Sequence, residues 1–146
     1  MKKASNYLGI DWGAVKVGVA LAHKETKLAL AYATLQNDQY LLKRLGAIIA
    51  AENIAIVVIG IAIRGVTRNV AGGKSLGNHQ DAEHAGKKLG RLIEKRFSVS
   101  VVYQNEMFTT KMAQDRLKES GAKRISKIDD AEAARIILQE WLDANQ

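Results

Sequence analysis

Three acidic positions in this chain have the residue types and flanks that divalent-cation chemistry requires. Asp11 ends a short apolar run in Gly9-Ile10-Asp11-Trp12-Gly13. A carboxylate at the end of a helix-covered strand sits partly out of water, and that is costly unless a cation or hydrogen bonds compensate it. The competing reading is a turn aspartate that closes a hairpin with Gly13. Glu106 follows another apolar run in Tyr103-Gln104-Asn105-Glu106. If the two runs are parallel strands, both acids fall on one edge of the sheet. Otherwise Glu106 is an acid at a helix entrance, favoured there by the helix dipole. Asp130 opens Asp130-Ala131-Glu132-Ala133-Ala134 and shares a helical stripe with Ile137, Leu138 and Trp141. Asp129 is rotated about a quarter turn away and suits a helix cap, so Asp130 is the acid of the pair expected to act. Together Asp11, Glu106 and Asp130 offer oxygen ligands that suit Mg²⁺ or Mn²⁺ and not zinc. One or two such ions, roughly 4 Å apart when paired, activate water and stabilise in-line displacement at phosphorus.

Cations for phosphates accompany these acids. Lys16, Arg64, Arg68, Lys74, Lys111, Arg116, Lys123, Arg124 and Lys127 are the expected nucleic-acid contacts, and those from 111 to 127 lie between Glu106 and Asp130 in sequence. A solvated charged face is the ordinary alternative for any one of them. A formal net charge of +7 and an isoelectric point near 9.7 give a positive surface field that attracts polyanions. Ala71-Gly72-Gly73-Lys74-Ser75 imitates a P-loop, but Arg68 stands where that pattern needs glycine. The segment therefore reads as a basic loop over a substrate groove. His23, His79 and His84 lack zinc spacing. Trp12 reads as a turn aromatic packed on the sheet, with base stacking as the alternative.

The elements that must position these residues are legible from periodicity. Tyr7 to Ile10 is a short strand, Val17, Val19 and Leu21 alternate with smaller or polar residues, and Leu28 to Thr34 is a third strand. Leu41, Leu42, Leu45, Ile48 and Ile49 predict an amphipathic helix over 38–52. Ile54 to Ile59 is continuously apolar, as in a strand buried on both faces. A loop over 64–78 leads to a helix with Ala82, Ala85, Leu89, Leu92, Ile93 and Phe97 inward, then to a strand over 99–103. Helices over 109–119 and 127–143 end the chain. The order βββαβαβαα implies an α/β fold with a mixed five-stranded sheet and helices on both faces. Ribonuclease H-like and actin-like nucleotide-binding folds both begin this way.

Composition bounds the rest. The 146 residues suit a single domain spanning the chain. Cysteine is absent, which removes disulfides, thiolate zinc sites and cysteine nucleophiles and suits a reducing cytoplasm. The apolar run ending at Arg64 is too short to span a bilayer, so no membrane partner is expected. Proline is also absent, which is unusual for this length. A monomer and a homodimer fit equally well.

Segments along nearly the whole chain resemble one family. Gly9-Ile10-Asp11-Trp12-Gly13, with Lys16, Val17, Gly18, Val19 and Ala20, resembles the opening motif of the YqgF (RuvX) family. Val57-Val58-Ile59-Gly60 resembles its buried fourth strand, and Asn105-Glu106-Met107-Phe108-Thr109-Thr110 its Asp-Glu-Arg-hydrophobic-Ser-Thr segment. Asp130 to Ala134, with Ile136, Ile137, Leu138, Gln139 and Asp143, resembles its C-terminal helix. The resemblance implies a ribonuclease H-like fold and metal-dependent hydrolysis of structured nucleic acid. The substrate would be the 16S ribosomal RNA precursor or a Holliday junction. The implied metal-binding acids map onto Asp11, Glu106 and Asp130. Asn105 stands where the family usually has Asp, Met107 where it often has Arg, and Ala62 where it usually has Pro. The first two losses weaken a metal and a phosphate contact respectively, and they favour a noncatalytic nucleic-acid-binding or ribosome-assembly factor as the second reading. An actin-like ATP-binding module is the third.

Overall fold

Alternating apolar residues fold into the antiparallel meander they predict. In the computed structural model, which describes residues 5–61, 76–105 and 128–145, the meander comprises β1 (Asn6–Asp11), β2 (Lys16–Ala22) and β3 (Ala29–Gln36). Helix α1 (Leu41–Ala51) precedes β4 (Ile54–Ile61), which pairs parallel with β1. Helix α2 (Leu76–Phe97) precedes β5 (Ser100–Asn105), parallel to β4, and α3 (Asp130–Ala144) ends the described chain. The sheet order is β3-β2-β1-β4-β5. The strand with the continuous apolar sequence, β4, buries Val57 and Ile59 on one face and Val58 on the other.

The two faces are built differently. Leu8, Ile10, Val17, Val19 and Ile59 form a bulky core with Leu45 and Ile49 of α1 and Leu89 and Ile93 of α2. The other face is made of small residues, including Gly9, Gly18, Ala20, Ala22 and Gly60, and α3 lies on it through Ala134, Ile137 and Leu138. A Cβ on Gly9 would stand 2.7 Å from the Leu138 Cβ and 3.0 Å from the Ala134 carbonyl oxygen. Side-chain volume is thus removed from the sheet wherever the helix backbone approaches it. Gln139 fixes the helix laterally by accepting from the Ala29 backbone N–H at 2.9 Å and donating to the Lys27 carbonyl at 3.3 Å. Ala29 opens the edge strand and Lys27 precedes it, so the bonds tie the start of β3 to α3.

Three local expectations need correction or restriction. Leu92 is 44% exposed, not inward. Gly86 and Gly90 bring α2 close to Ile61 and Tyr103, so the contact stripe runs through 86, 89, 90, 93 and 97 and leaves Leu92 to one side. Residues Leu76, Gly77 and Asn78, expected in the loop, belong to α2. The rest of that loop and the helix expected over 109–119 lie outside the described residues.

Candidate functional site

Helix α3 runs along β1 in the opposite sense, and this fixes where the acids meet. The Tyr7 ring lies 5.9 Å from the Trp141 ring at the far end of the helix. Gly9 faces Leu138 and Ala134, and Gly18 faces the Asp130 carbonyl and the Ala131 N–H. Asp11 pairs with Gly18 across the β1–β2 ladder, which puts their Cα atoms about 5 Å apart. Because strand residues alternate, Asp11 lies on the same face as Tyr7 and Gly9. The half-buried Asp11 therefore sits at the first turn of α3, which begins with the half-buried Asp130. Gly18 makes this approach possible: any side chain there would start inside the Asp130 carbonyl.

Each acid at the start of α3 has a separate task. Asp129 is the N-cap, and its carboxylate accepts from the Glu132 N–H at 2.8 Å. Glu132 is engaged by Arg135, whose Nε donates to it at 2.8 Å, and that partnership holds the guanidinium pKa above its ordinary value. Asp130 has neither role, as its place on the apolar stripe predicts. Replacing Asp129 with alanine is expected to lower stability by about 1 kcal/mol, while asparagine, an equivalent cap, leaves it unchanged; urea denaturation measures both.

The register adds a residue that the sequence left unmarked. Gly18, Asp11, Gly60 and Gln104 form one row across β2, β1, β4 and β5. Gln104 thus lies on the face of Asp11, two strands away or about 10 Å. Period-two counting from Val102, which packs on the α3 side, is the signal that finds it. Asn105 pairs with Ile61, a member of the core under α1 and α2, so it belongs to the opposite face from Asp11. An amide in place of a carboxylate there changes the charge behind the site, not on its face.

Lys16 begins β2 at the same sheet edge and is exposed. Glu106 and the cations Arg64, Arg68, Lys74, Lys111, Lys123, Arg124 and Lys127 lie outside the described residues. Among the described residues no three histidine or acidic side chains come together as a metal site. The donor chemistry of Asp11 and Asp130 fits a hard cation such as Mg²⁺ or Mn²⁺, with Glu106 the third acid assigned from sequence.

A protein of Burkholderia cenocepacia (strain HI2424) named "Putative pre-16S rRNA nuclease" is 28% identical to this chain over 140 residues, covering 93% of this chain and 87% of its own length. A protein of the same name from Burkholderia vietnamiensis (strain G4 / LMG 22486) is 27% identical over 143 residues, covering 95% and 89%. Among solved structures, T. thermophilus RuvC in complex with a Holliday junction substrate superposes with a TM-score of 0.58 at 12% identity, covering 97% of this chain and 95% of that one. The Fowlpox virus resolvase, solved with Holliday junction DNA, superposes with a TM-score of 0.54 at 10% identity, covering 96% and 98%. These likenesses establish a ribonuclease H-like fold. The family model described as "RuvX: Holliday junction resolvase" matches residues 5–144. With the opening Asp11 motif and the Asp130 helix both inside that match, the chain belongs to the RuvX (YqgF) family.

Proposed function

We propose that this protein is a Mg²⁺- or Mn²⁺-dependent nuclease that hydrolyses phosphodiester bonds in structured nucleic acid, either the 16S ribosomal RNA precursor at its 5′ end or branched DNA. The observation that carries the reading is the meeting of Asp11 with the first turn of α3 through Gly18. Asp11, Asp130 and Glu106 would hold the cation, which when bound supplies positive charge to the phosphoryl oxygens. The N-terminus of α3 presents its positive dipole end to the same place and favours an anion there. Lys16 adds a fixed charge beside it. The site acids alone would repel a phosphate, so the surrounding cations and a bound metal are both needed to bring one in.

Metal-dependent cleavage is tested by offering precursor 16S RNA and a four-way DNA junction side by side, with Mn²⁺ and with chelator. Cleavage of either one that requires Mn²⁺ supports the proposal, and the substrate that is cut identifies the role. Binding without cleavage of either supports the noncatalytic reading, which the family departure at Met107 favours. Binding itself is expected to weaken with salt, since each neutralised phosphate contributes about 0.9 to the logarithmic slope. Replacing Lys123, Arg124 and Lys127 together with alanine should lower that slope by about 2.7 if all three meet phosphates. An unchanged slope would assign them to solvated surface.

A further inference from the structure

A groove of about 310 Å³ opens one residue beyond Asp11. Its walls come from the turn after β1, the start of α1 and the side of α2 that the core leaves free. Trp12, Leu42, Leu89 and Leu92 make it apolar, while Asn37 and Lys88 stand among its lining residues. Trp12 is half-buried, with part of its surface on the core under α1 and α2. The turn that carries it is pinned: the Asn37 side chain donates to the Gly13 carbonyl at 2.6 Å, and the Asn37 backbone N–H donates to the Val15 carbonyl at 2.9 Å. Leu92 remains 44% exposed although it is a leucine of a core helix. Asp38, also at the groove, is bound by Arg44 at 3.0 Å and accepts from the Tyr40 N–H, so its charge is compensated.

We propose that this groove receives one unstacked nucleobase of a bound strand, with Trp12 as the stacking surface and Lys88 meeting the adjoining phosphate. The inference rests on the nucleic-acid reading above and adds a subsite to it. A volume at the lower end of small-ligand sites fits a single base and not a partner helix. A fixed aromatic ring beside a cation is the arrangement that holds single-stranded bases without regard to sequence. Trp12 packs on the core under α1 and α2 whereas Asp11 faces α3, so a base held in the groove would belong to a nucleotide carried around the end of β1 from the acids, and the groove would select a strand that can splay a nucleotide out of its stack.

Trp12 and Trp141 are the two tryptophans of the chain, so Trp141→Phe leaves Trp12 as the sole indole reporter. This variant is titrated, with millimolar Mg²⁺ present, with a ten-nucleotide single-stranded DNA and with a fully abasic strand of the same length. The strand with bases is expected to quench Trp12 emission and to bind about tenfold tighter, within the range that base–aromatic stacking supports. Because Trp12 packs on the core, the disabling change is made at exposed Leu92: adding Leu92→Glu should remove both differences and leave the salt-dependent binding common to the two strands. Equal binding of both strands without quenching overturns the subsite and leaves the nucleic-acid reading intact. Binding of neither strand overturns the subsite, while the nucleic-acid reading is decided separately by precursor RNA and the four-way junction. Emission that varies with protein concentration alone overturns the subsite in favour of a second copy of the chain.

Discussion

Asp11→Asn is expected to reduce metal-dependent cleavage by about a hundredfold or more while leaving the fold intact. The scale is that of losing one group that stabilises developing transition-state charge. Little change in metal-free stability is expected because two effects oppose each other at residue 11. Its charge gains about 0.3–1 kcal/mol from the N-terminus of α3, and it loses a comparable amount to the like charge of Asp130 in the first turn. Single-turnover cleavage together with urea denaturation separates the outcomes. A protein that unfolds more readily by several kcal/mol and retains its cleavage rate would make Asp11 a structural turn residue.

Gly18→Ala is expected to be among the most destabilising single-carbon additions in the chain, by about 3 kcal/mol or more. The added Cβ meets backbone atoms, the Asp130 carbonyl and the Ala131 N–H, and no rotamer change relieves that clash. To make room, α3 must lift from the sheet and give up its close contacts at Gly9 and Gly60. For a domain of this size the loss corresponds to a melting temperature lower by about 10 °C. Gly46→Ala is the control. Its Cβ would meet Phe97 ring atoms at 2.5 Å, but that ring is a side chain that is only half-buried and can yield. Alanine also favours the helix by about 1 kcal/mol, so Gly46→Ala should be near neutral. Equal melting temperatures for the two variants would mean that α3 is not held as closely as Gly18 requires.

Gly18 also marks where the sequence alone stops short. Its place in Lys16-Val17-Gly18-Val19 is legible as a strand position, but its contact is with a residue 112 positions later, and periodicity carries no information across that span. Local signals were sufficient for Asp11, where an apolar strand ends between glycines, and for separating Asp129 from Asp130. In the latter case a rotation of about 100° per residue divides a capping acid from one on the buried stripe. Leu92 falls outside the contact stripe because apolar spacing on α2 fits two overlapping stripes. The choice between them is made by Gly86 and Gly90, which act by being absent as side chains. Gln104 and Asn105 occupy opposite faces for a reason that needed the register with Gly60 and Ile61. The groove beside Trp12 joins the turn after β1 to α1 and α2, and no single segment of sequence contains it.

In the proposed site Asp11 and Asp130 share one cation, and a melting series with and without Mn²⁺ tests that most directly. At a concentration ten times the dissociation constant, binding stabilises the folded protein by about 1.4 kcal/mol, or about 4 °C here. Wild type and Asp129→Asn are predicted to show this shift equally, since asparagine preserves the cap, whereas Asp11→Asn and Asp130→Asn are predicted to show none. A full shift retained in Asp130→Asn, or no shift in wild type at millimolar Mn²⁺, would contradict the shared site.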